Sequence, residues 1–400
     1  MHQSIIHLLS LCAGVLGQGP SHPHGPPSGP WPSARPWSGQ ANKAIYFLDD
    51  NPSGSSIVSM QVSANGTISN PQRTSTGGKG SIASDGTAPL ARDALISQGS
   101  VIVGGEYLFT VNAGSNTLAM FSIDPQDASR VTLVGAPAST LGEFPMSVTY
   151  SDTLNMACVL NGGAKAGVTC FHVDRQGGLQ PTGSFLSLAG ITNETTPPVG
   201  PPESSSQILF TPDSSALLVL QKGNAGPPVS PGYIVAYPVV NGRVSGNSVK
   251  NQFANVAMPF AGVFVDNDRV FMADPSYGAS IFEIPSDLEL VQQTHVVLPT
   301  QKAVCWSAYD ASLNTAYAID AGQPLVYTFD PSSGAQTGSF SPDESVQGLF
   351  DSAISDGKMY SLAAANGIVV MDLVSQTQVQ FYNLTSFGNR QYWDGMAVSW

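Results

Sequence analysis

Alternating apolar and polar positions recur in pairs of short runs along the chain. Each pair has a strand-like apolar run, a turn rich in Gly, Asn, Asp or Ser, and a second alternating run. Successive copies lie roughly 45 to 60 residues apart, the length of a four-stranded propeller blade with its loops. The pattern predicts an all-β, seven-bladed propeller that occupies residues 41–400 as a single domain. The seven copies begin at Ala44, Tyr107, Asn155, Ala216, Arg269, Thr315 and Met359.

The segments that precede several of these repeats indicate how the ring closes. Each has a Pro or Gly, an alternating run and a polar turn, and each is predicted to form the innermost strand of its blade. They begin at Pro145, Ser206, Phe260 and Gly348. The first repeat has no such segment before it, whereas DGMAVSW, from Asp394 to Trp400, has the missing pattern. We therefore expect the last strand to join the first blade and leave no open sheet edge.

Composition favours the same fold and excludes some partners. The 41 Gly and 30 Pro residues suit short strands and many turns, and no segment has a helical apolar period. With 15 basic and 28 acidic residues, the surface would repel a nucleic-acid backbone. No apolar run after the first twenty residues approaches the length of a membrane span.

The N-terminus has the pattern of a targeting segment. An apolar stretch runs from Ile5 to Leu16, and the small residues Val15 and Gly17 precede a possible cleavage position. Residues 1–17 are therefore predicted to be a signal peptide, with a disordered start as the alternative, and the Pro, Gly and Ser tract of residues 18–40 a disordered tether. A secreted protein would use its three glycosylation acceptors, which are Asn65, Asn193 and Asn383.

The cysteines support an oxidising compartment. Cys158 and Cys170 lie symmetrically about the centre of one predicted hairpin turn, so they are expected to face each other and form a disulfide. Cys12 would leave with the signal peptide. Cys305, beside Val304 and Trp306, is interpreted as a buried, unpaired thiol that behaves as a small apolar residue.

The loops before each inner strand are expected to gather at one end of the channel and to form a pocket for a lipophilic ligand. Large apolar and aromatic side chains predominate there, among a few polar ones, and packing between blades is the alternative role for each. The predicted substrate-binding residues are Phe144, Met146, Gln207, Phe260, Trp306, Phe350, Asp351, Trp393 and Asp394, with Met258 nearby; Lys302, Arg390 and Tyr392 are the predicted hydrogen-bond donors.

Four segments give the chain a family resemblance. They are NAGSNTLAMFSID from Asn112, FPMSVTYSDTLNMACVLNGG from Phe144, GVTCFHVDRQGGLQPTGS from Gly167 and SQILFTPDSSALLVLQKGN from Ser206. These resemble the lactonase-type seven-bladed propellers, which include phosphogluconolactonases and fungal carboxymuconate cyclases. With its signal-like start, tether and glycan acceptors, the chain is similar to the secreted fungal branch, which includes hetero-Diels–Alder cyclases of tropolone-sesquiterpenoid pathways.

Residue usage guides the choice of reaction. Only His172 and His295 fall within the predicted ring, and both are interpreted as structural. The sequence contains no G-x-S-x-G nucleophile elbow, no H-E-x-x-H zinc-binding motif and no phosphate-binding loop motif. The leading hypothesis is a cycloaddition between a quinone-methide-like heterodiene and a terpene alkene, which needs positioning and donors but no nucleophile or cofactor. A lactonase or carboxymuconate-type cyclase is the second hypothesis, and a non-catalytic secreted or cell-wall glycoprotein the third.

A bound metal is not expected, because no loop has a calcium-ligand spacing. The acidic residues weighed for such a site are Glu143, Glu203, Asp351 and Asp394, which are interpreted instead as solvated acidic turns.

Overall fold

A computed structural model describes residues 43–399, which form seven antiparallel sheets, the blades of the propeller. The predicted signal peptide and tether lie outside the described residues. Blade 1 contains β31 (Trp393–Val398), β1 (Ala44–Asp49), β2 (Ser56–Val62) and β3 (Ile68–Ser75); blade 2 contains β4 (Val101–Gly104), β5 (Tyr107–Asn112), β6 (Thr117–Ile123), β7 (Val131–Leu133) and β8 (Ala138–Ser139); blade 3 contains β9 (Pro145–Ser151), β10 (Met156–Asn161), β11 (Gly167–Asp174) and β12 (Gly178–Ser187).

The remaining four blades follow in chain order. Blade 4 contains β13 (Ser205–Phe210), β14 (Ala216–Gln221), β15 (Tyr233–Val240), β16 (Arg243–Val244) and β17 (Val249–Asn251); blade 5 contains β18 (Ala261–Phe264), β19 (Arg269–Asp274), β20 (Gly278–Glu283), β21 (Val291–Gln292) and β22 (Val296–Val297); blade 6 contains β23 (Val304–Asp310), β24 (Thr315–Asp320), β25 (Leu325–Phe329) and β26 (Gln336–Phe340); blade 7 contains β27 (Leu349–Ser355), β28 (Lys358–Ala363), β29 (Gly367–Asp372) and β30 (Thr377–Asn383). The helices among the described residues are two three-residue 3-10 turns, Glu344–Val346 and Arg390–Tyr392.

The ring is closed by its last strand, as the sequence predicts. β31 pairs antiparallel with β1, and the register places Val398 opposite Ile45 and Trp393 opposite Asp49. The side chains of β1 and β31 are all buried. The seven-bladed fold and its closure are therefore confirmed.

The innermost strands form a complete circle around the axis. Each of them contacts its two neighbours, in the order β31, β4, β9, β13, β18, β23, β27 and back to β31. The second strands are also buried on both faces because the faces of each blade pack against the next blade. Every residue of β10 and β14, for example, is buried, whereas most of the outermost strand β3 is solvent-accessible.

Five of the innermost strands contain a β-bulge near the end where the chain enters the blade. The extra residues fall at Met146 in β9, Ser206 in β13, Cys305 in β23, Phe350 and Asp351 in β27, and Gly395 and Met396 in β31. A bulge bends a strand and changes the direction of the next side chains, and bulges are frequent beside functional sites. One end of the ring therefore departs from regular geometry.

Deleting residues 395–400 should remove most of β31 and expose the edges of β1. We expect the melting temperature to fall by more than about 10 °C, because a buried strand and its main-chain pairing are lost. A synthetic peptide of residues 393–400 should restore part of the loss, and a scrambled peptide should not. Thermal melting followed by circular dichroism tests this, and a truncated chain that melts like the full-length protein would contradict the closure.

Candidate functional site

The irregular ends of the inner strands lie on one face of the ring, the loop face. Because the strands of a blade alternate in direction, the links between blades and the turns after each second strand meet on this face. Buried aspartates at the ends of second strands fix these links. Asp274 accepts the Met258 amide at 2.9 Å, and Asp320 accepts the amides of Lys302 and Ala303, each at 2.8 Å.

One link between blades crosses the axis. Residues 90–98, here called the axial segment, belong to the loop between β3 and β4, and residues 93–97 are buried. The segment makes hydrogen bonds to five other parts of the ring: Gln391 to Leu90, Arg92 to Ala364, Lys222 to Ile96, Ser97 to Met146, and the Ser307 amide to Gln98. A segment of this length can reach blades 1, 3, 4, 6 and 7 only over the centre of the ring.

Close to the axial segment, three aromatic side chains near the starts of neighbouring inner strands form a row. The ring centroids of Phe260 and Trp306 are 5.1 Å apart, and those of Trp306 and Phe350 are 5.0 Å apart. A cation lies over each end of the row. Lys222 Nζ is 4.7 Å from the Phe260 centroid, and Arg390 Cζ is 4.7 Å from the Phe350 centroid. Each contact is a cation–π interaction in a buried setting.

Five ionisable groups meet near this row, and we call them the axial charged cluster: Asp93, Lys222, Asp351, Arg390 and Asp394. All are buried. Burial raises the pKa of Asp93 and of Asp351 to about 7, and it raises the pKa of Asp394 well above its usual value. Burial lowers the pKa of Lys222 to about 8 and that of Arg390 to about 10.

Several polar atoms of the axial charged cluster have no hydrogen-bond partner in the structure. They are Asp93 Oδ1, Asp351 Oδ1, both carboxylate oxygens of Asp394, and Arg390 Nη2. Arg390 nevertheless donates to two main-chain carbonyls, Ala363 at 2.5 Å and Trp393 at 2.7 Å. The arginine is therefore fixed in place by the backbone, whereas Asp351 and Asp394 are positioned by their strands and Asp93 by the axial segment.

A pocket of about 350 Å³ opens beside the axis on the loop face. We call it the side pocket. Its lining is mostly polar, and the end of β14 contributes Gln221 and Lys222 to it. The full lining is Ile191, Thr192, Asn193, Glu203, Gln221, Lys222, Gly223, Ser230, Pro231, Tyr233 and Gln252. Lys222 belongs to both the side pocket and the axial charged cluster.

Glu194 lies directly after three consecutive residues of the pocket wall, Ile191 to Asn193. Its Oε1 accepts from the Ser205 amide at 3.0 Å, from Ser205 Oγ at 2.7 Å and from Thr192 Oγ1 at 2.9 Å, whereas Oε2 is shielded from solvent and has no partner. Burial raises the pKa of Glu194 to about 7. Lys222 Nζ donates to Ser205 O at 2.7 Å and to Ile96 O at 2.8 Å. Ser205 thus connects the carboxylate to the ammonium group.

The structure brings some of the predicted site residues together. Phe260, Trp306, Phe350, Asp351, Arg390 and Asp394 meet at the axis. The interpretation of Asp351 and Asp394 as solvated acids is wrong, because both are at most 2 % exposed. Their strands direct them inward at the bulges, and the linear sequence does not show this.

Other predicted residues lie apart from this group. Lys302 is exposed, and only its main-chain amide has a recorded hydrogen bond. Phe144 and Met146 belong to a core cluster formed mainly by blades 2 to 4, and Trp393 packs edge-on against Phe47.

Two further predicted residues make other contacts. Gln207 accepts the Gly262 amide at 2.6 Å, and Tyr392 is half-buried at the end of its 3-10 turn. Met258 is buried.

The site also contains Asp93, Glu194 and Lys222, which are not among the residues predicted from the sequence. Asp93 and Glu194 come from the two links between blades that are longer than the others, residues 76–100 and 188–204, so no periodic pattern marks them. Lys222 does have a signal, because it directly follows the apolar strand ALLVLQ. A lysine at the end of a fully buried strand indicates a buried charge with partners elsewhere in the fold.

The cysteine prediction is confirmed. Cys158 and Cys170 are direct register partners in β10 and β11, and they form a disulfide with a Cα–Cα distance of 4.1 Å. Cys305 is free and buried, and burial raises its pKa well above the usual value.

The predicted structural histidines and glycan acceptors lie at the surface. His172 and His295 are exposed, and the ring of His295 stacks on Tyr277 with centroids 4.0 Å apart. Asn65, Asn193 and Asn383 are also exposed. Their glycosylation stays a prediction.

A metal-binding cluster and a membrane-spanning helix are both absent from the described residues. Within residues 43–399, no three acidic, histidine or cysteine side chains are arranged to hold a metal ion. In the same residues, no helix has the length and apolar character required to cross a membrane.

Comparisons with known proteins identify the fold. No protein-family model and no curated protein matches the chain. Solved structures do match: a functionally unknown protein from Desulfotomaculum acetoxidans is 13% identical, covers 90% of this chain and 99% of its own, and has a TM-score of 0.60. A proposed 6-phosphogluconolactonase from Bacteroides fragilis is 12% identical, with 90% and 98% covered and a TM-score of 0.60. A periplasmic gluconolactonase from Pseudomonas aeruginosa is 16% identical, with 85% and 95% covered and a TM-score of 0.60.

The buried carboxyl groups should make the ring more stable at mildly acidic pH. Asp93 and Asp351 keep their protons up to about pH 7 in the folded state, whereas unfolded aspartates ionise near pH 4. The folded state therefore binds more protons in this range, and the free energy of unfolding should fall as the pH rises from about 4 to about 7.

Replacing Asp351 with Asn should reduce this slope by up to about 1.4 kcal/mol per pH unit. Asp287→Asn, at an exposed position, is the matched control and should leave the slope unchanged. Urea unfolding at a series of pH values provides the measurement. An equal slope in the Asp351→Asn variant and the wild type would refute the role of this carboxyl group.

Proposed function

We propose that the protein is a hydrolase that opens lactones, and that the side pocket is its active site. The observation that carries the proposal is the connection of Glu194 and Lys222 through Ser205, beside a polar pocket on the loop face. A carboxyl group with a pKa near neutrality is suited to general-base chemistry, and such groups cluster at functional sites. Two proteins of the same fold, the proposed 6-phosphogluconolactonase and the periplasmic gluconolactonase, have names that support this reaction class.

Glu194 is the general base in this proposal. Its Oε2 has no hydrogen-bond partner, while Oε1 is held by Ser205 and Thr192. Because Oε2 is shielded from solvent in the structure, the scheme requires the attacking water molecule to enter beside it from the pocket. The water oxygen bonds to the lactone carbonyl carbon, and the carbonyl oxygen becomes an oxyanion. The ring C–O bond then breaks, and Glu194 returns its proton to the departing alcohol oxygen. The product is the open-chain hydroxy acid.

Lys222 stabilises negative charge in this scheme. Two of its ammonium hydrogens point to the carbonyl groups of Ile96 and Ser205, so the charge is fixed beside the pocket before substrate arrives. A positive charge that is already in place favours an oxyanion that forms nearby, since no reorganisation is needed. Ser205 Oγ also lies 2.8 Å from Gln221 Oε1, so its single hydroxyl proton is shared between Glu194 and Gln221 and links the base to the pocket wall.

The cycloaddition expected from the sequence stays a prediction. The aromatic residues chosen for its apolar pocket are buried against one another and under two cations, whereas the side pocket is lined mainly by polar groups. These observations favour lactone hydrolysis over a reaction that needs an apolar cavity.

The same proposal includes an extracytoplasmic location. The disulfide between Cys158 and Cys170 supports it, because such bonds persist in oxidising compartments. The signal peptide and a fungal source stay predictions, as does the non-catalytic glycoprotein role.

The purified protein should hydrolyse D-glucono-1,5-lactone above the spontaneous rate. Glu194→Gln should lower kcat/KM by about 100-fold, because general-base catalysis contributes 10²–10⁴-fold. Glu289→Gln, at an exposed position away from the pocket, is the control for this change. A pH-stat assay measures the acid released. Wild-type protein that never exceeds the buffer rate with any lactone would remove the proposal.

Lys222→Met should also reduce kcat/KM, and Lys302→Met is its matched control on the loop face. Because Lys222 is buried, the melting temperature of each variant must be measured alongside. A folded Lys222→Met protein with wild-type activity would exclude the role given to the ammonium group.

The pH dependence of kcat/KM should be bell-shaped. Activity should rise as Glu194 loses its proton near pH 7, and it should fall as Lys222 loses its proton near pH 8. In the residual activity of Glu194→Gln, the acidic limb should disappear and the alkaline limb should remain. A profile with the same acidic limb in both proteins would assign that limb to another group.

A further inference from the structure

The side pocket contains little positive charge for a ligand to use. Lys222 is the single basic residue in its lining, and Glu203 adds an exposed carboxylate. The Lys222 ammonium group already donates to two carbonyls and lies over the Phe260 ring, and it faces the carboxylates of Asp93 and Glu194. Two of its three ammonium hydrogens are therefore already used, which leaves one for a ligand oxygen.

Apart from Lys222, a phosphate group would find none of its usual partners in this pocket. Phosphate sites in proteins combine Arg or Lys forks with the amide groups at a helix N-terminus or in a glycine-rich loop. The pocket lining contains no Arg, and the helices of residues 43–399 are the two 3-10 turns, neither of which lines it. The formal charge of −13 further disfavours an anionic ligand.

The lining does suit a compound with many hydroxyl groups. Uncharged polar side chains, which can both donate and accept hydrogen bonds, surround the cavity: Thr192, Gln221, Ser230 and Gln252. Tyr233, Pro231 and Ile191 add apolar surfaces against which the C–H faces of a sugar ring can pack. The volume of about 350 Å³ lies within the range of small-molecule sites.

We infer that the side pocket selects an uncharged, polyhydroxylated ring compound and rejects its phosphorylated counterpart. The inference rests on the proposed function for the reaction, but the binding preference follows from the charges alone. The specificity comes from the shortage of positively charged groups in the pocket. A phosphate group would lose its hydration next to Glu203 and would gain at most one hydrogen bond, from Lys222.

Two measurements separate this inference from the proposed function. The first compares kcat/KM for D-glucono-1,5-lactone with that for its 6-phosphate, and we expect at least a 10-fold preference for the uncharged lactone. The second uses calorimetry to compare binding of D-glucose, which cannot react, with that of D-glucose 6-phosphate. Glucose binding without lactone turnover would support the inference and refute the hydrolase. Preferred turnover or binding of either phosphorylated compound would overturn the inference and leave a hydrolase intact.

A gain-of-charge variant gives a sharper test. Gln252→Arg adds a guanidinium group to the pocket wall, so it should raise the affinity for D-glucose 6-phosphate at least 10-fold and change that for D-glucose less. Gln336→Arg places the same residue on an exposed outer strand and is the matched control. An equal gain in both variants would show a general effect of charge, and it would overturn the assignment of the ligand to the side pocket. Wild-type protein that does not bind glucose would also overturn this assignment.

Discussion

The main-chain pairing of β31 with β1 is the interaction on which the loop face depends. The pairing joins the two ends of the described chain, so it converts a row of seven blades into a circle. The same strand carries Asp394, and the 3-10 turn before it carries Arg390. If β31 were displaced, the axis would lose two of its five charged groups as well as its closure. Architecture and electrostatics therefore rest on one set of hydrogen bonds.

The charges at the axis raise a question of stability, because three carboxyl groups and two cations are removed from water. Their mutual attraction is offset by the loss of hydration, so the axial charged cluster contributes little net stability. Two features reduce the free-energy cost of burying these charges. The aromatic row makes cation–π contacts with both cations, and the raised pKa values of Asp93 and Asp351 let these side chains carry protons near neutral pH. Hydrogen bonds from Lys222 and Arg390 to main-chain carbonyls also replace the lost water.

The sequence predicts the parts of this protein that repeat. Seven apolar hairpins give the blade count, and the alternation before each hairpin gives the inner strands, so Phe260, Trp306 and Phe350 are found together as expected. Bulges are not visible in the pattern, because one extra residue in a strand leaves its composition unchanged. For this reason Asp351 and Asp394 are misread as solvated.

The residues of the side pocket are harder to predict, since they come from irregular loops. Glu194 belongs to a link that is longer than most of those between other blades, and its role depends on contact with Ser205 eleven residues later. Lys302 shows the opposite error: its position before an inner strand is right, but its side chain points to solvent. Loop direction is set by tertiary contacts, which local sequence does not encode.

The axial segment limits how such a protein can evolve. Propellers built from equal modules can gain or lose a blade when a repeat is duplicated or deleted. Here one stretch of chain is tied to blades 1, 3, 4, 6 and 7 at fixed angular positions around the circle. An added blade would rotate these anchoring points away from their partners. The contacts of this one loop therefore constrain the number of blades, in addition to the packing of the blades themselves.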